Sequence, residues 1–168
     1  MTFKRKKYIN LIMYILSKCY DKKSFGKTVL CSLLYFIDFN YYEVYRELIT
    51  NETYIKSKRG IEPEHFFEVT YDLIRKKQLY LKKEPYYHMT IHKYYLTTIP
   101  NIKFKARELE IINYSIDKLI NRNATSITKY AIKDPPINKA RFGEKIDYRH
   151  VFLRNEKYSM IKKINNFI

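Results

Sequence analysis

Glycine, tryptophan and cysteine are scarce in this sequence, which has three glycines, two cysteines and no tryptophan. The glycines stand far apart, at positions 26, 60 and 143, so they form no glycine-rich loop of the kind that cradles a nucleotide phosphate. Cys19 and Cys31 both fall inside apolar helical patterns, where a thiol behaves as a small buried hydrophobe. Two such residues make no disulfide framework, and we therefore expect a protein of the reducing cytoplasm.

Long apolar runs are missing as well. No uninterrupted apolar stretch reaches the ~18 residues that a membrane-spanning helix needs, so we expect no membrane partner. The N-terminal region resembles a signal peptide, because the basic run 4–7 precedes a largely apolar segment. That segment contains Asn10, Ser17 and Lys18 and lacks a small-residue cleavage site, so we expect no secretion.

Acidic residues are few: 17 aspartates and glutamates face 33 lysines and arginines, which leaves a net charge of +16. A field of that size attracts phosphate polymers, anionic membrane surfaces or acidic proteins. The basic runs are scattered along the chain, however, and Lys, Asn, Ile and Tyr are over-used together, as an A+T-rich genome produces in any protein. The charge therefore does not identify a partner by itself.

The chain does contain enough apolar surface for one packed domain. Of its 168 residues, 46% are hydrophobic and 17% are aromatic, which excludes a mainly disordered polypeptide. One core suffices for this length, and no repeat or low-complexity linker divides the chain. We predict a single domain over 1–168, with a core at about 8–148 and a C-terminal helix at about 155–168.

Apolar residues at three-and-four spacing predict the helices of the first half. After an N-terminal helix, a second one begins at Ser24 as its N-cap and runs to about Tyr42. It is apolar over more than half of its circumference, so we expect it at the centre of the fold. A third helix is predicted to follow a turn at Gly60, to carry Pro63 in its first position, and to end at 75–77.

Three further helices are predicted in the second half. The clearest has an apolar face made of Leu109, Ile112, Ile116, Leu119 and Ile120. A short helix capped by Thr125 or Ser126 is terminated by Pro135 and Pro136, since proline lacks the amide that the next turn requires. The last helix follows Asn155 and has an apolar face made of Met160, Ile161, Ile164, Phe167 and Ile168.

β-branched and aromatic residues predict the strands. A short extended piece precedes Gly60, and a β-hairpin joins segments 79–81 and 86–98 through a turn at 82–85. Residues 145–148 alternate like a strand after a turn at Gly143. The predicted fold is therefore mainly helical α+β, with five or six helices around a central helix, a small β-hairpin and a short extra strand.

The sequence offers no pattern that indicates catalysis or a cofactor. His88 and His92 have the spacing that binds zinc on a helix, but their neighbours favour a strand, in which the two would stand ~13 Å apart. Asp38 and Asp72 are a candidate carboxylate pair, although Asp38 is more simply a cap or ion-pair partner at the end of the second helix. We predict that the protein is not an enzyme and holds no metal or other cofactor.

Three segments resemble the Panacea domain, a family long described as phage-associated that includes the SocA-like antitoxins. They are residues 27–39 (KTVLCSLLYFIDF), 49–54 (ITNETY) and 60–63 (GIEP). The order of the pieces also matches over about 8–148, including a helix that starts with Phe104 and Glu108. The resemblance implies these scaffold positions: Lys27, Leu33, Leu34, Tyr35, Asp38, Thr50, Tyr54, Gly60, Pro63 and Glu108.

The resemblance implies an antitoxin that binds a cognate protein toxin and holds it inactive, with no catalytic step. Where the family has a Ser-His pair and a tryptophan, this chain has Ala131-Ile132 and Ile137, so it must bind without them. Relatives are paired with toxins of unrelated folds, so the resemblance does not identify the toxin. An acidic surface on the toxin would explain the basic excess through a steered, faster encounter.

Tyrosines beside cations are the candidates for partner contacts, because Tyr and Arg bury area at low entropic cost. We predict contacts through Tyr41, Tyr42, Tyr45, Arg46 and Arg59. The alternative for such rings is core packing with the hydroxyl reaching water.

Rings interleaved with lysine also suit base stacking, so a basic nucleic-acid-binding protein of a phage or plasmid is the alternative function. An accessory interaction protein with the same fold is a second alternative.

Overall fold

The structure is a computed structural model that describes residues 2–165. These residues form, in chain order, α1 (Arg5–Cys19), α2 (Lys27–Tyr45), β1 (Tyr54–Ser57), β2 (Gly60–Pro63), α3 (Phe66–Arg75), β3 (Leu79–Tyr86), β4 (Met89–Leu96), α4 (Ala106–Leu119), α5 (Ala124–Ala131), α6 (Pro135–Lys139), a 3-10 helix (Tyr148–Leu153) and α7 (Ile161–Ile164). The prediction of a mainly helical α+β fold is confirmed. The described residues form two separate antiparallel hairpins, however, where the sequence predicted one.

Helix α2 is the centre of the fold, as predicted. Every residue in Val29–Tyr41 is buried, and the helix packs against α4, α5, β2 and the 3-10 helix. It begins at Lys27, so the prediction of Ser24 as its N-cap is wrong. A Cβ at Gly26 would lie 3.2 Å from the carbonyl oxygen of His92, and the Gly26 amide donates to the Ser24 carbonyl. The chain thus passes close to strand β4 before the helix starts, an approach that favours glycine.

A second hairpin, β1–β2, replaces the predicted start of the third helix. Pro63 is not the first residue of a helix, because it ends β2 opposite Tyr54 of β1. The Glu64 amide donates to the Thr53 carbonyl at 2.8 Å, and α3 begins only at Phe66. A proline is tolerated at the end of a strand in a two-stranded sheet, because no neighbouring strand needs its missing amide hydrogen.

The β3–β4 hairpin is confirmed, but the predicted position of its turn is wrong. Strand β3 runs without a break through residues 82–85 to Tyr86. The turn consists of Tyr87, which has a positive φ of 52°, and His88. Pro85 does not interrupt the strand, because a strand of a two-stranded sheet has an edge on which a residue without an amide hydrogen can face solvent.

Helix α4 is confirmed together with most of its predicted face. Ile112, Ile116 and Leu119 are buried, whereas Leu109 and Ile120 are half-buried. The buried side chains of the described residues form one contiguous hydrophobic cluster, to which α1, α2 and α4 contribute most of the aliphatic groups. No helix within residues 2–165 has the length and the apolar content to cross a membrane.

The short helix α5 has a different cap from the predicted one. Its N-cap is Asn123, whose side-chain oxygen accepts the Ser126 amide at 2.8 Å, so neither Thr125 nor Ser126 caps it. Helix α5 ends at Ala131. Pro135 is the first residue of the next helix, α6, where its missing amide costs no intrahelical hydrogen bond.

The predicted strand at 145–148 is reduced to a single bridge. Lys145 pairs with Ile55 of β1, and the 3-10 helix begins at Tyr148. The turn at Gly143 is confirmed by its φ of +85°.

The last helix is shorter than predicted within the described residues. It begins at Ile161. The side chain of Asn155, after which the helix was predicted to begin, accepts the Lys157 amide at 3.0 Å and forms a turn ahead of the helix. Phe167 and Ile168, which the prediction placed on the apolar face of this helix, lie outside the described residues.

Candidate partner-binding surface

Asp38 lies in the middle of α2 and is fully buried. Its carboxylate accepts three hydrogen bonds: the Thr50 hydroxyl, the Thr50 amide at 3.2 Å and the Tyr54 hydroxyl at 2.7 Å. The prediction of a cap or ion-pair partner at the end of the helix is therefore wrong, and Asp72 pairs instead with Arg5 at 2.5 Å. Burial raises the pKa of Asp38 to about 6, although the three hydrogen bonds lower it.

These three bonds connect the central helix to the segment that leads into β1. Asp38, Thr50 and Tyr54 are three of the scaffold positions that the family resemblance implied. The structure brings them together across a sequence separation of 12 and 16 residues. Hydrogen bonds to a buried carboxyl are directional, so they set how α2 and the β1–β2 hairpin lie against each other.

A second buried cluster surrounds Arg154, whose side chain has no exposed surface. Its guanidinium donates to both carboxylate oxygens of Asp134, at 2.8 and 2.6 Å. It also donates to Asn40 at 2.9 Å and to Glu43 at 3.0 Å, both on α2. Burial lowers the pKa of Arg154, but the charges of Asp134 and Glu43 outweigh this effect and raise it above its usual value. The guanidinium thus stays charged between two carboxylates.

The carboxylates of this cluster have further donors. Asp134 accepts the Tyr35 hydroxyl at 2.9 Å, and Glu43 accepts the Ser159 hydroxyl at 2.6 Å and the Met160 amide at 3.1 Å. Each charge is therefore both paired and hydrogen-bonded, which is the condition under which buried charges are tolerated. The cluster joins α2, the residue that precedes α6, and the segment between the 3-10 helix and α7.

The Arg154 cluster positions an exposed apolar surface. The two residues before Arg154, at the end of the 3-10 helix, are Phe152 and Leu153, whose exposed fractions are 44% and 55%. The Phe152 ring lies beside the end of α2, where its centroid is 5.9 Å from that of Tyr42 and 3.4 Å from the Arg46 guanidinium carbon. We call Tyr42, Arg46, Phe152 and Leu153 the Phe152 surface.

Of the predicted contact residues, Tyr42 and Arg46 belong to the Phe152 surface, whereas Tyr41 and Tyr45 pack against each other beside Arg107. Tyr42 is half-buried and Arg46 is exposed. Tyr41 is only 2% exposed, so its ring packs inside the protein and is not free to contact a partner. Tyr45 packs against Tyr41 and lies 5.2 Å from the guanidinium carbon of Arg107.

Arg59 lies at the opposite end of α2 from Arg46. It stands in the β1–β2 turn and lines a groove of about 310 Å³ together with Lys27 and Thr28, which begin α2. A helix of this length spans about 27 Å, so Arg59 and Arg46 cannot be parts of one small contact area. The structure therefore does not bring the predicted contact residues together.

The groove beside Arg59 contains a thiol and an imidazole. Burial raises the pKa of Cys31 to about 12, so this thiol remains protonated near neutral pH. His92, on the exposed side of β4, also lines the groove. Within residues 2–165 no three His, Cys, Asp or Glu side chains are placed to hold a metal ion together.

The remaining scaffold positions serve packing and local geometry. Leu33 and Leu34 are fully buried in α2. Glu108 accepts the Lys105 amide at 2.9 Å at the start of α4 and pairs with Lys7 at 2.6 Å. Gly60 has a φ of +124° at the start of β2, in the left-handed region that favours glycine.

Sequence reasoning missed the residues that organise the surface. Arg154 and its partner Glu43 are 111 residues apart, and neither belongs to a motif. Phe152 and Leu153 were not predicted as contact residues, because the 3-10 helix that contains them was not predicted. The only available signal was a cation next to two apolar residues outside every predicted element.

Comparison with known families matches more than half of the chain to a family model. The family model described as "Antitoxin SocA-like, Panacea domain" matches residues 30–136, which is more than half of the chain. No curated protein and no solved structure matches the chain. The matched range contains most of α2, both hairpins, α3, α4 and α5, and it ends two residues after Asp134.

Proposed function

This chain belongs to the family of SocA-like antitoxins with a Panacea domain, and from that premise we propose that it neutralises a cognate protein toxin by direct, non-covalent binding. The family supports an antitoxin-like role in general. The toxin, the binding mode and the absence of a catalytic step are our proposal.

The observation that carries the proposal is the Phe152 surface. It combines exposed aromatic and aliphatic side chains with an arginine stacked on a ring, which is the composition of the centre of a protein interface. The Arg154 cluster, in which the guanidinium pairs with Asp134 and Glu43, fixes the position of this surface. A surface that is already ordered before binding loses little conformational entropy when the partner arrives.

An acidic toxin surface would suit this chain. The net charge of +16 produces a long-range attraction for a negatively charged partner and raises the rate of encounter. We propose that the two proteins meet in the cytoplasm, where the free thiols of Cys19 and Cys31 stay reduced.

The function is tested by co-expression with the product of the adjacent gene. We expect that product to arrest growth when it is expressed alone, and we expect growth to recover when this chain is present. The two proteins should also co-purify as a stoichiometric complex. A gene product that is harmless alone, or one that stays lethal beside the intact chain, contradicts the proposal.

The contact surface is tested by Phe152→Ala. Truncation of a central aromatic anchor should weaken toxin binding by about 2 kcal/mol, which is roughly 30-fold in Kd, and should reduce growth rescue. The matched control is Phe142→Ala, because Phe142 is also an exposed phenylalanine (60%) with a cation, Lys56, 5.3 Å from its centroid.

We expect the Phe142→Ala variant to bind the toxin as the unchanged protein does. Equal affinities of the two variants would exclude the Phe152 surface as the contact area while leaving toxin neutralisation to be judged by the co-expression result.

A further inference from the structure

Six cations lie close together where α4, α5, α7 and the segment before α7 meet. We call this set the basic cluster; it consists of Lys118, Arg122, Lys129, Lys133, Lys157 and Lys163. Three of its cations lie near the Tyr130 centroid: Arg122 at 4.4 Å, Lys157 at 5.5 Å and Lys118 at 5.6 Å. Arg122, Lys129, Lys133 and Lys157 line a concavity of about 420 Å³.

The basic cluster has no counter-charge among the described residues. Some cations elsewhere in residues 2–165 are paired, as Arg5 is with Glu68 and Arg107 is with Glu47. By contrast, no carboxylate of the described residues lies within 4.0 Å of a cation of the basic cluster. The Tyr130 ring, the Lys157 carbonyl oxygen and solvent relieve part of the repulsion between these side chains, and a bound anion would relieve more of it.

Two of the ammonium groups are held especially close. Those of Lys118 and Lys163 donate to the same carbonyl oxygen, that of Lys157, at 3.1 and 3.4 Å. Burial, together with the neighbouring Lys163 ammonium, lowers the pKa of Lys118 to about 7. An anion at this place would remove a repulsion that the fold otherwise sustains.

The lining of the concavity indicates the chemistry of the ligand. Beside the cations it contains only polar side chains, namely those of Asn123, Thr125, Ser126 and Tyr130. The centre of an interface with a protein is enriched in apolar residues, and no aliphatic residue of the described part of the chain lines this concavity. Tyr130 is only 6% exposed, so its ring is not available to stack on a base. Cations and hydroxyl donors without a stacking ring suit phosphate oxygens, which accept hydrogen bonds and carry charge.

We propose that the basic cluster binds the phosphate backbone of a nucleic acid strand, without reading its sequence. Lys129, in the last turn of α5, and Lys133, two residues after the end of α5, line the concavity together with Arg122 and Lys157, so successive phosphates of one strand can each meet a cation. This activity is separate from toxin binding, because the Phe152 surface contributes none of the residues that line the concavity.

The test measures binding of a fluorescent single-stranded DNA of about 20 nucleotides by anisotropy, at about 50 and 200 mM salt. The site variant carries Lys129→Gln, Lys133→Gln and Lys157→Gln. The matched control carries Lys23→Gln, Lys76→Gln and Lys83→Gln, which are exposed lysines without ion pairs among the described residues. Both variants lose the same charge, so a difference between them reports position and not net charge. Thermal unfolding of both variants checks that the fold is kept.

We expect the site variant to bind DNA roughly tenfold more weakly and to lower the slope of log K against log salt by about 2, as the loss of three phosphate contacts requires. The control should stay within about twofold of the unchanged protein, and Arg at the three site positions should restore binding.

Equal weakening of both variants, or no DNA binding by the unchanged protein at the lower salt, would overturn the proposal. So would competition by polyglutamate as effective as that by DNA, or binding to phosphatidylserine vesicles without binding to DNA. The experiment uses this chain alone, so its failure does not bear on toxin neutralisation.

Discussion

A carboxyl group buried beside neutral donors is costly to ionise, and Asp38 is such a group. Its three hydrogen bonds come from the hydroxyl and amide of Thr50 and the hydroxyl of Tyr54, and none comes from a cation. Neutral donors lower the pKa less than burial raises it, so the balance lies at about 6. In the Arg154 cluster, by contrast, each carboxylate accepts hydrogen bonds from a guanidinium.

The raised pKa of Asp38 makes the stability of the protein depend on pH in a defined direction. The unfolded-state value is near 3.8, so between about pH 4 and 6 the folded state binds more protons at this residue than the unfolded state does. The contribution of Asp38 to the free energy of unfolding therefore falls as pH rises through this window, by on the order of 3 kcal/mol in total.

The measurement is urea unfolding of the unchanged protein and of Asp38→Asn at several pH values. The free energy of unfolding of the variant minus that of the unchanged protein should rise by about 2 kcal/mol between pH 4 and pH 7, because only the unchanged protein loses the proton. Glu52, whose pKa burial also raises, is present in both proteins and cancels in the difference. A difference that does not vary with pH would mean that Asp38 titrates normally.

At the scale of elements, α2 acts as the common support of the fold. Its middle binds the segment before β1 through Asp38, and its C-terminal half binds the residues around the 3-10 helix through Asn40 and Glu43. The 3-10 helix and α7 are too short to contain many internal backbone hydrogen bonds. Their positions therefore depend on the hydrogen bonds to Asn40 and Glu43. The position of Phe152 follows from the position of Arg154, two residues away.

Replacement of Arg154 tests this dependence. The Arg154→Met variant leaves Asp134 and Glu43 buried without their cation, and we expect the free energy of unfolding to fall by about 3–5 kcal/mol. Toxin binding should weaken as well, because the 3-10 helix loses its anchor. Arg149→Met is the control, since Arg149 pairs with Asp147 at the surface and its loss should leave stability unchanged in the same urea titration. A variant at Arg154 as stable as this control would show that the cluster does not hold the elements together.

At the scale of the whole molecule, the arrangement of charge matters more than its amount. Many of the acidic side chains form ion pairs with cations, for example those of Glu47, Glu68 and Glu108. The excess of positive charge is therefore carried by cations without partners, and the basic cluster concentrates several of them on one side of Tyr130. A field of this kind acts on the rate at which partners meet.

We therefore predict that the association rate constant with the toxin falls about tenfold as ionic strength rises from ~20 to ~150 mM, while the dissociation rate constant changes little. Stopped-flow mixing at several salt concentrations measures both rate constants. An association rate constant that does not respond to salt would show that the charge of this chain serves some purpose other than steering toward its toxin.

The sequence by itself determined α1 to α5, the presence of the β3–β4 hairpin and the burial of α2, because hydrophobic period and propensity are properties of a segment alone, but it did not predict α6 or the 3-10 helix. The sequence analysis placed the hairpin turn at 82–85 and Pro63 in a helix, and both predictions were wrong. An edge strand tolerates proline, and four-residue strands have too short a pattern to detect.

Only the tertiary structure decided which polar residues meet. Arg154 contacts Glu43, which is 111 residues away in the sequence, and three separate stretches of chain (118–122, 129–133 and 157–163) supply the basic cluster. Electrostatic interactions depend on distance in space, and that distance is set by how the helices pack and not by the order of residues along the chain.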